Sequence, residues 1–261
     1  MRTLAKTISI IGLQSIPLIK PGDNLSRIIV ETTKKEKVPI DDGDIIVVAQ
    51  KIVSKAEGRI VKLSGITSSE KAKNIARQTL KDPRLVELIL RETKKIVKAT
   101  SVIFIVENKK DVICINAGID KSNVSGNDSY ALLPEDPDKS ARKLLSEIAK
   151  LTGKRVAVVI CDTYSRPFRR GQVGFTIGIA GLSPFIDYRG QKDLFNYTLK
   201  VKNTALADEI ASAAELVMGQ GKEAIPVAII KNLTRVKWTK ETSTKNLLIP
   251  KQEDLFKGTL I

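Results

Sequence analysis

Residues 161–181 read Cys-Asp-Thr-Tyr-Ser-Arg-Pro-Phe-Arg-Arg-Gly-Gln-Val-Gly-Phe-Thr-Ile-Gly-Ile-Ala-Gly, the stretch of this chain densest in groups that handle charge. The apolar run Val156–Ile160 delivers Asp162 and Thr163 at its end. A carboxylate beside a hydroxyl offers hard oxygen ligands to a divalent cation. Three arginines follow, Arg166, Arg169 and Arg170, whose planar donor forks match phosphate or carboxylate. The glycines at 171, 174, 178 and 181 permit close backbone approach to a ligand. The combination points to a metal and anion site, of the kind a nucleotide occupies. A strand-ending Asp that caps the next turn accounts for Asp162 equally well on local grounds.

Three further segments carry chemistry. Asp120 and Asn123 lie in Ala117-Gly-Ile-Asp-Lys-Ser-Asn, straight after an apolar run, where a scaffold fixes the backbone and leaves side chains reachable. An ordinary Asx turn fits the same residues. Two oxygen donors brought in from different strands are the usual means of holding Mg²⁺ or Mn²⁺ beside phosphate. Gln50-Lys-Ile-Val-Ser-Lys55 follows another apolar strand, and Lys55 there can neutralise a phosphate or stand as a solvated lysine. Gly219-Gln-Gly-Lys222 follows a helical segment, so its glycines also suit a helix C-cap. It lacks the GxxxxGK[ST] spacing, and no GxGxxG follows a strand, so neither a P-loop nor a Rossmann site is expected.

The elements that must position these groups are legible in outline. Apolar runs at 7–11, 44–49, 60–63, 155–161 and 227–230 read as strands, and 102–106 with 112–115 as a hairpin. A helix follows Asp23 as N-cap, and Thr67 with Glu70 forms a capping box for another that runs to about Leu80. Asp82-Pro83 and Asp136-Pro137 each open a helix, the second with Leu144, Leu145, Ile148 and Leu151 on one face and Gly153 as its stop. Residues 205–218 are helical by propensity, and the tail after Leu233 reads as irregular with a short terminal helix. Strands and helices mix without a steady βαβ rhythm. The fold class expected is α+β, with mixed sheets and flanking helices. No linker divides 1–261, so one unit is expected, with room for two intertwined subdomains.

Composition narrows the chemistry further. The 261 residues contain no histidine, which removes Ser-His and Cys-His nucleophile pairs and every His-containing metal site. Catalysis must then rest on carboxylates, Lys, Arg, hydroxyls, backbone amides or an oxygen-held metal, the inventory of phosphoryl transfer. Cys114 and Cys161 lie in or beside apolar runs without CxxC spacing, so buried thiols are expected and zinc is not. The net charge of +15 suits anionic substrates or nucleic acid, but the basic residues are scattered and aromatics make up only 4%. That argues against a nucleic-acid partner. No apolar stretch approaches the roughly 20 residues needed to span a bilayer. The N-terminal segment reads as a first strand rather than a signal peptide, which makes a cytoplasmic location the expectation.

Taken in order, the segments resemble the coenzyme F420-0:γ-glutamyl ligase family of archaea. The resemblance runs through Ile11-Gly-Leu-Gln-Ser-Ile-Pro-Leu-Ile-Lys-Pro-Gly-Asp23, Asp42-Gly-Asp and Ser54-Lys-Ala-Glu-Gly-Arg59. It continues in Asn116-Ala-Gly-Ile-Asp-Lys-Ser-Asn123, Leu151-Thr-Gly-Lys-Arg155, Asp162-Thr163 with its arginines, and Ala207-Asp-Glu-Ile-Ala211. Met218-Gly219 and Glu253-Asp-Leu-Phe256 complete it. It implies an unusual α+β ligase fold, an intertwined homodimer, and a GTP-dependent ligase that adds L-glutamate to coenzyme F420-0. In that family GTP phosphorylates the acceptor carboxylate and the glutamate amine displaces phosphate, and the resemblance implies the same here. Mg²⁺ or Mn²⁺, as two divalent ions, and K⁺ are implied as cofactors. The metal ligands fall on Asp120, Asp162, Thr163 and Gln220, and catalysis on Asp162, Asp120 and Lys55. GTP contacts fall on Ile16, Pro17, Leu18, Ile19, Gln50, Lys51, Lys55 and Asn123. Others fall on Met218, Gly219, Gln220, Gly221, Lys222, Glu223, Ala224 and Ile225.

Two positions depart from the family pattern. Gln220 stands where many relatives carry Glu, so one metal meets a neutral oxygen and is expected to bind more weakly. Tyr164-Ser165 replaces a smaller pair after Asp162-Thr163. The chain carries no counterpart of the reductase-like domain of some bacterial relatives, so the ligase step alone is expected. A related GTP-dependent amide ligase acting on another anionic acceptor is the alternative.

Overall fold

The structure, a computed structural model, describes residues 7–250 and 252–254. Residues 1–6, 251 and 255–261 lie outside the described residues, and with them fall the start of the N-terminal segment and the last two residues of Glu253-Asp-Leu-Phe256. The chain divides into two compact units. One is built from Pro134–Leu247 and the described residues of Met1–Glu57, the other from Gly58–Leu133 and the described residues of Leu248–Ile261.

The first unit starts with β1 (Ser9–Gly12), α1 (Leu25–Lys35), β2 (Ile45–Ala49) and α2 (Gln50–Ala56). The second unit follows with β3 (Ile60–Lys62), α3 (Glu70–Thr79), α4 (Pro83–Glu92), β4 (Thr93–Ala99), β5 (Phe104–Asn108), β6 (Ile113–Ile115) and β7 (Ser129–Ala131). The chain then returns to the first unit with α5 (Pro137–Thr152), β8 (Ala157–Ser165), β9 (Gln172–Ala180), β10 (Ile186–Asp187), β11 (Asn203–Thr204), α6 (Leu206–Met218) and β12 (Val227–Lys231).

The first unit is organised by a five-stranded sheet in the order β1-β12-β2-β8-β9. Only β2 and β8 run parallel; the other three pairings are antiparallel. β2 is a continuous Ile-Ile-Val-Val run buried at every one of those residues, as expected of a strand covered on both faces. On one face α6 lays Ala207, Ile210, Ala211, Ala214 and Met218 against Ile45, Val47, Ala157, Val159 and Cys161. α5 packs on β8 and β9 and carries α1 against it.

β9 explains why the glycines at 174 and 178 are there. Ile160 pairs with Gly178 but Cys161 with Thr176, so Ile177 is an extra residue in β9, a β-bulge. Such an insertion reverses the side-chain alternation beyond it. A Cβ on Gly174 would sit 2.7 Å from the Ala211 carbonyl oxygen of α6, and one on Gly178 would sit 2.4 Å from the Pro137 carbonyl oxygen of α5. One glycine therefore seats each helix, on opposite faces. β9 also borders the sheet, and its amides at Thr176 and Ile179 donate to Asp208 of α6 (2.9 Å) and Asp138 of α5 (2.9 Å). Helix carboxylates thus satisfy backbone donors that an edge strand otherwise leaves open.

In the second unit α3 and α4 pack together, with Ala72, Ala76, Val86 and Ile89 facing Phe104 and Val106 of the β4-β5-β6 sheet. β3 and β7 make a separate antiparallel ribbon. The mixed sheets and helices bear out the α+β expectation.

Several boundaries differ from the expected ones. The cap of α1 is Asn24, whose side chain accepts from the Arg27 amide, while Asp23 turns back to accept from the Lys20 amide. The cap of α3 is Ser69, not Thr67; Glu87 of α4 accepts from both its amide and its hydroxyl and fixes it there. Both Asp-Pro helices begin where expected, with Asp82 and Asp136 capping. Leu151 falls on the exposed last turn of α5 rather than on its buried face. β4, a lysine-rich run, carries too little apolar alternation to read as a strand, and it forms by pairing with β5.

Candidate functional site

β8 does not end at Asp162. It continues through Ser165, pairing Asp162 with Phe175, Thr163 with Gly174 and Tyr164 with Val173, so the two candidate ligands sit within the strand. Adjacent strand residues face opposite ways. Thr163 shares the α6 face with Cys161 and with Gly174 opposite, and Asp162 takes the other face; both are half-buried. Tyr164 packs its ring against Phe175, at 5.8 Å between centroids, which gives the expected Tyr-Ser departure a packing role. The arginines occupy the turn between β8 and β9. Arg166 donates to the Gly171 carbonyl (3.4 Å), and Arg169 and Arg170 are exposed. Gly171 has φ +85°, which makes it a turn residue. The glycines at 174 and 178 are thus occupied by helix packing, which corrects their reading as points of ligand approach.

On the α6 face, Thr163 meets the loop that follows α6. Gly219, at φ +66°, caps the helix as its spacing allows, its amide donating to the Glu215 carbonyl. Met218 remains in the core, and Ile225 packs against it from the loop's far end. Between them Gln220 is exposed, and the Gly221 amide donates to Glu223 (2.7 Å). The Thr163 hydroxyl donates to Gln220 Oε1 at 3.4 Å, and Gln220 Nε2 donates to the Glu215 carboxylate. Lys222 is exposed beside them, and Ala224 takes φ +56°.

Glu215 joins this cluster through Gln220, a link that the sequence pattern alone does not show. Burial raises its pKa above the usual carboxylate value, against the lowering effect of its Gln220 and Gly174 partners. Burial likewise raises Cys161, with the charges of Asp162 and Glu215 adding to the effect. Asp208, in the first turn of α6, is also raised by burial. A signal was available: Ala211, Glu215 and Met218 stand at helical spacing, so the carboxylate interrupts an apolar stripe.

β2 passes into α2 with no intervening loop. Gln50 is 2% exposed, and its Oε1 accepts from the Ser54 hydroxyl (2.9 Å). Lys55 is half-buried one turn on; burial, and then the nearby Lys51, lower its pKa. Ile16 to Ile19 run as an irregular connection between β1 and α1, with Ile16 half-buried, Pro17 exposed, Leu18 88% exposed and Ile19 buried.

Sheet register brings these segments to one end of the sheet. Gly12 at the end of β1 pairs with Ala228, Val227 at the start of β12 with Val48, and Ala49 at the end of β2 with Cys161. Residues 16–19, Gln50–Lys55, Asp162–Thr163 and the loop 218–225 therefore all leave the same end of the five-stranded sheet. The opposite end holds a different cluster, with Lys231 donating to Asp41 (2.8 Å) and Asp44 (2.6 Å).

Asp120 and Asn123 belong to the second unit. The Asp120 backbone bridges Ala131, with both amides donating across, and its carboxylate accepts from the Ser122 amide (2.9 Å) and hydroxyl (2.5 Å). This is the Asx turn that the local pattern allows. Asn123 has φ +53°, and Asn116, Ala117 and Gly118 are three consecutive left-handed residues. Asn116 Oδ1 is buried and has no hydrogen-bond partner among the described residues. Backbone strain and an unsatisfied acceptor thus fall together at this loop.

Among the described residues no three Asp, Glu or Cys side chains converge as a metal cage. The oxygen donors at the sheet end are instead divided by β8, with the Thr163 hydroxyl and the Gln220 carboxamide on the α6 face and the Asp162 carboxylate on the other. So few protein oxygens on either face suit Mg²⁺, which keeps several waters and takes the rest of its shell from substrate phosphates.

Comparison with known proteins gives the site its context. Residues 14–232 match the family model of F420-0:Gamma-glutamyl ligase. The chain is 44% identical to the Coenzyme F420:L-glutamate ligase of Methanothermobacter thermautotrophicus over 96% of its own length and 99% of the relative's. It is 42% identical to the Methanocaldococcus jannaschii enzyme of the same name, over 97% and 98%. The Methanopyrus kandleri enzyme is 43% identical over 85% and 86%.

Proposed function

The chain belongs to the F420-0:gamma-glutamyl ligase family, and on that premise we propose that it joins L-glutamate to coenzyme F420-0 through a γ-glutamyl amide bond, driven by GTP. The observation that supports this most is the convergence of four charged or loop-forming segments at one end of the five-stranded sheet. Strand ends of this kind present side chains from rigid elements to a ligand in the crevice beyond them.

The chemistry has two steps. An oxygen of the acceptor carboxylate attacks the γ-phosphorus of GTP, and GDP leaves. The neutral amine of glutamate then attacks the acyl carbon, inorganic phosphate departs with that oxygen, and the amine's proton goes to solvent. Positioning and charge neutralisation dominate such phosphoryl transfers. Lys55, Lys51 and Gln50 line the nucleotide side, with the irregular 16–19 segment and the 218–225 loop supplying backbone contacts. Lys55 is half-buried, so its charge acts on a phosphate through less screening water than a surface lysine's does. Thr163 and Gln220 on the α6 face of β8 would hold one divalent ion and Asp162 on the other face a second, which would supply charge neutralisation on phosphate oxygens when bound. Asp120 carries a further metal role and Asn123 a nucleotide contact in the second unit. K⁺ as an additional cofactor, a homodimer and a cytoplasmic location complete the proposal; no helix among the described residues is long and apolar enough to cross a membrane.

The test is to incubate the protein with GTP, Mn²⁺, L-glutamate and F420-0. GDP and a product heavier by one glutamyl unit are expected. GTP turnover with a different anionic acceptor, and none with F420-0, would move the chain to the related amide-ligase reading.

A further inference from the structure

The three-residue chain Thr163–Gln220–Glu215 has a direction. Thr163 Oγ1 donates to Gln220 Oε1 at 3.4 Å, while Gln220 Nε2 donates to the Glu215 carboxylate. A carboxamide has one end that can ligate a cation and one that cannot, because its NH₂ is donor only. Gln220 is exposed on a loop, so nothing about its own burial selects the productive end. Glu215 differs: it is held on α6, half-buried, with the Gly174 amide facing its carboxylate. α6 in turn is fixed to β9 by the Ser212 hydroxyl, which donates to the Gly174 carbonyl at 2.8 Å.

We propose that Glu215 is a positioning residue: by accepting the Gln220 Nε2–H, it keeps Gln220 Oε1 turned toward Thr163, where that oxygen is a ligand for a divalent cation. This rests on the metal role proposed above for Gln220. A carboxylate at position 220 would need no such partner, since both its ends are oxygens. A carboxamide there requires an acceptor on the far side, and Glu215 is that acceptor. Outer partners of this kind typically change metal affinity by about 10- to 100-fold when removed.

The experiment measures Mn²⁺ affinity by electron paramagnetic resonance of the free ion, with thermal melting to show that each variant is folded. Gln220→Ala tests the underlying metal role, and unchanged affinity in that variant would sink it. Given weakened binding in Gln220→Ala, Glu215→Leu is expected to weaken Mn²⁺ binding about tenfold or more. Glu215→Gln keeps an acceptor oxygen, so it is expected to stay within about threefold of the parent, since the hydrogen bond survives. The double variant Glu215→Leu/Gln220→Glu is expected to bind at least as tightly as the parent, because orientation no longer matters. Glu215→Leu binding Mn²⁺ like the parent would overturn the proposal. So would Glu215→Gln binding as poorly as Glu215→Leu, which would assign the effect to charge instead. Failure of the double variant to recover would overturn it as well.

Discussion

Replacing Gly174 by alanine separates two explanations of the glycines in 161–181. The new Cβ would lie 2.7 Å from the Ala211 carbonyl oxygen, 2.8 Å from its carbon and 3.0 Å from the Ser212 nitrogen, all backbone atoms of α6. Ordinary contact begins near 3.4 Å, so α6 must withdraw by about 0.7 Å. Overpacking of this kind costs about 1–3 kcal/mol, and the lost glycine entropy of the unfolded chain returns about 0.4–1 kcal/mol. A net loss of about 1–2 kcal/mol lowers Tm by about 2–8 °C in a domain of this size. The withdrawal also carries Glu215 and the 218–225 loop away from Thr163, so turnover is expected to fall with stability. Gly65→Ala is the control: nothing lies within 4 Å of its Cβ, and Tm should hold or rise slightly. The assay is thermal melting alongside GTP binding. Unchanged Tm in Gly174→Ala together with weakened GTP binding would refute the packing explanation and restore the ligand-approach one.

Other perturbations bear on the two ends of the sheet. Asp162→Asn should leave Tm unchanged and reduce turnover by about a hundredfold or more, as loss of several kcal/mol of charge stabilisation requires; coupled turnover near the parent's would dismiss its metal role. At the opposite end, Lys231→Met leaves Asp44, 3% exposed, without its cation and should cost about 3–5 kcal/mol by urea unfolding. Adding Asp44→Asn should recover much of that loss, and no recovery would show that the ion pair is not the cause. Burial holds the pKa of Lys55 below 10.5, so the native state sheds its proton first. Its charge therefore weakens the fold at neutral pH, and that penalty fades as pH rises through the lowered value toward 10.5. Phosphates raise the same pKa, so GTP binding at alkaline pH should take up a proton and lose affinity as pH climbs. Lys55→Arg should remove that slope, and an identical slope in the variant would clear Lys55 of phosphate contact.

What could be read from residue order alone follows physical lines. The Asp-Pro helices were legible because proline at the first helical position needs no amide partner and aspartate caps the next turn. The caps of α1 and α3 slipped by one or two positions because neighbouring Asp23 or Thr67 offers the same chemistry as Asn24 or Ser69. Only the partners, such as Glu87 beside Ser69, decide between them. The Asp162-Thr163 pair was visible from its apolar lead-in, but the end of β8 was not, since Tyr164 and Ser165 extend the strand by pairing with residues of β9. Likewise the bulge at Ile177 has no local signature; it appears only when both helices claim a glycine. Glu215 was hidden because its partner Gln220 lies on the loop beyond the helix.

The acceptor carboxylate is the atom group on which the proposed reaction turns, so isotopic labelling tests it most directly. F420-0 carrying ¹⁸O in the reacting carboxylate is incubated with the protein, GTP, Mn²⁺ and L-glutamate, and the released phosphate is analysed by mass spectrometry. Activation by GTP at this site predicts one ¹⁸O in each inorganic phosphate, formed in step with GDP and the glutamylated product. Glutamylated product accompanied by unlabelled phosphate would contradict it.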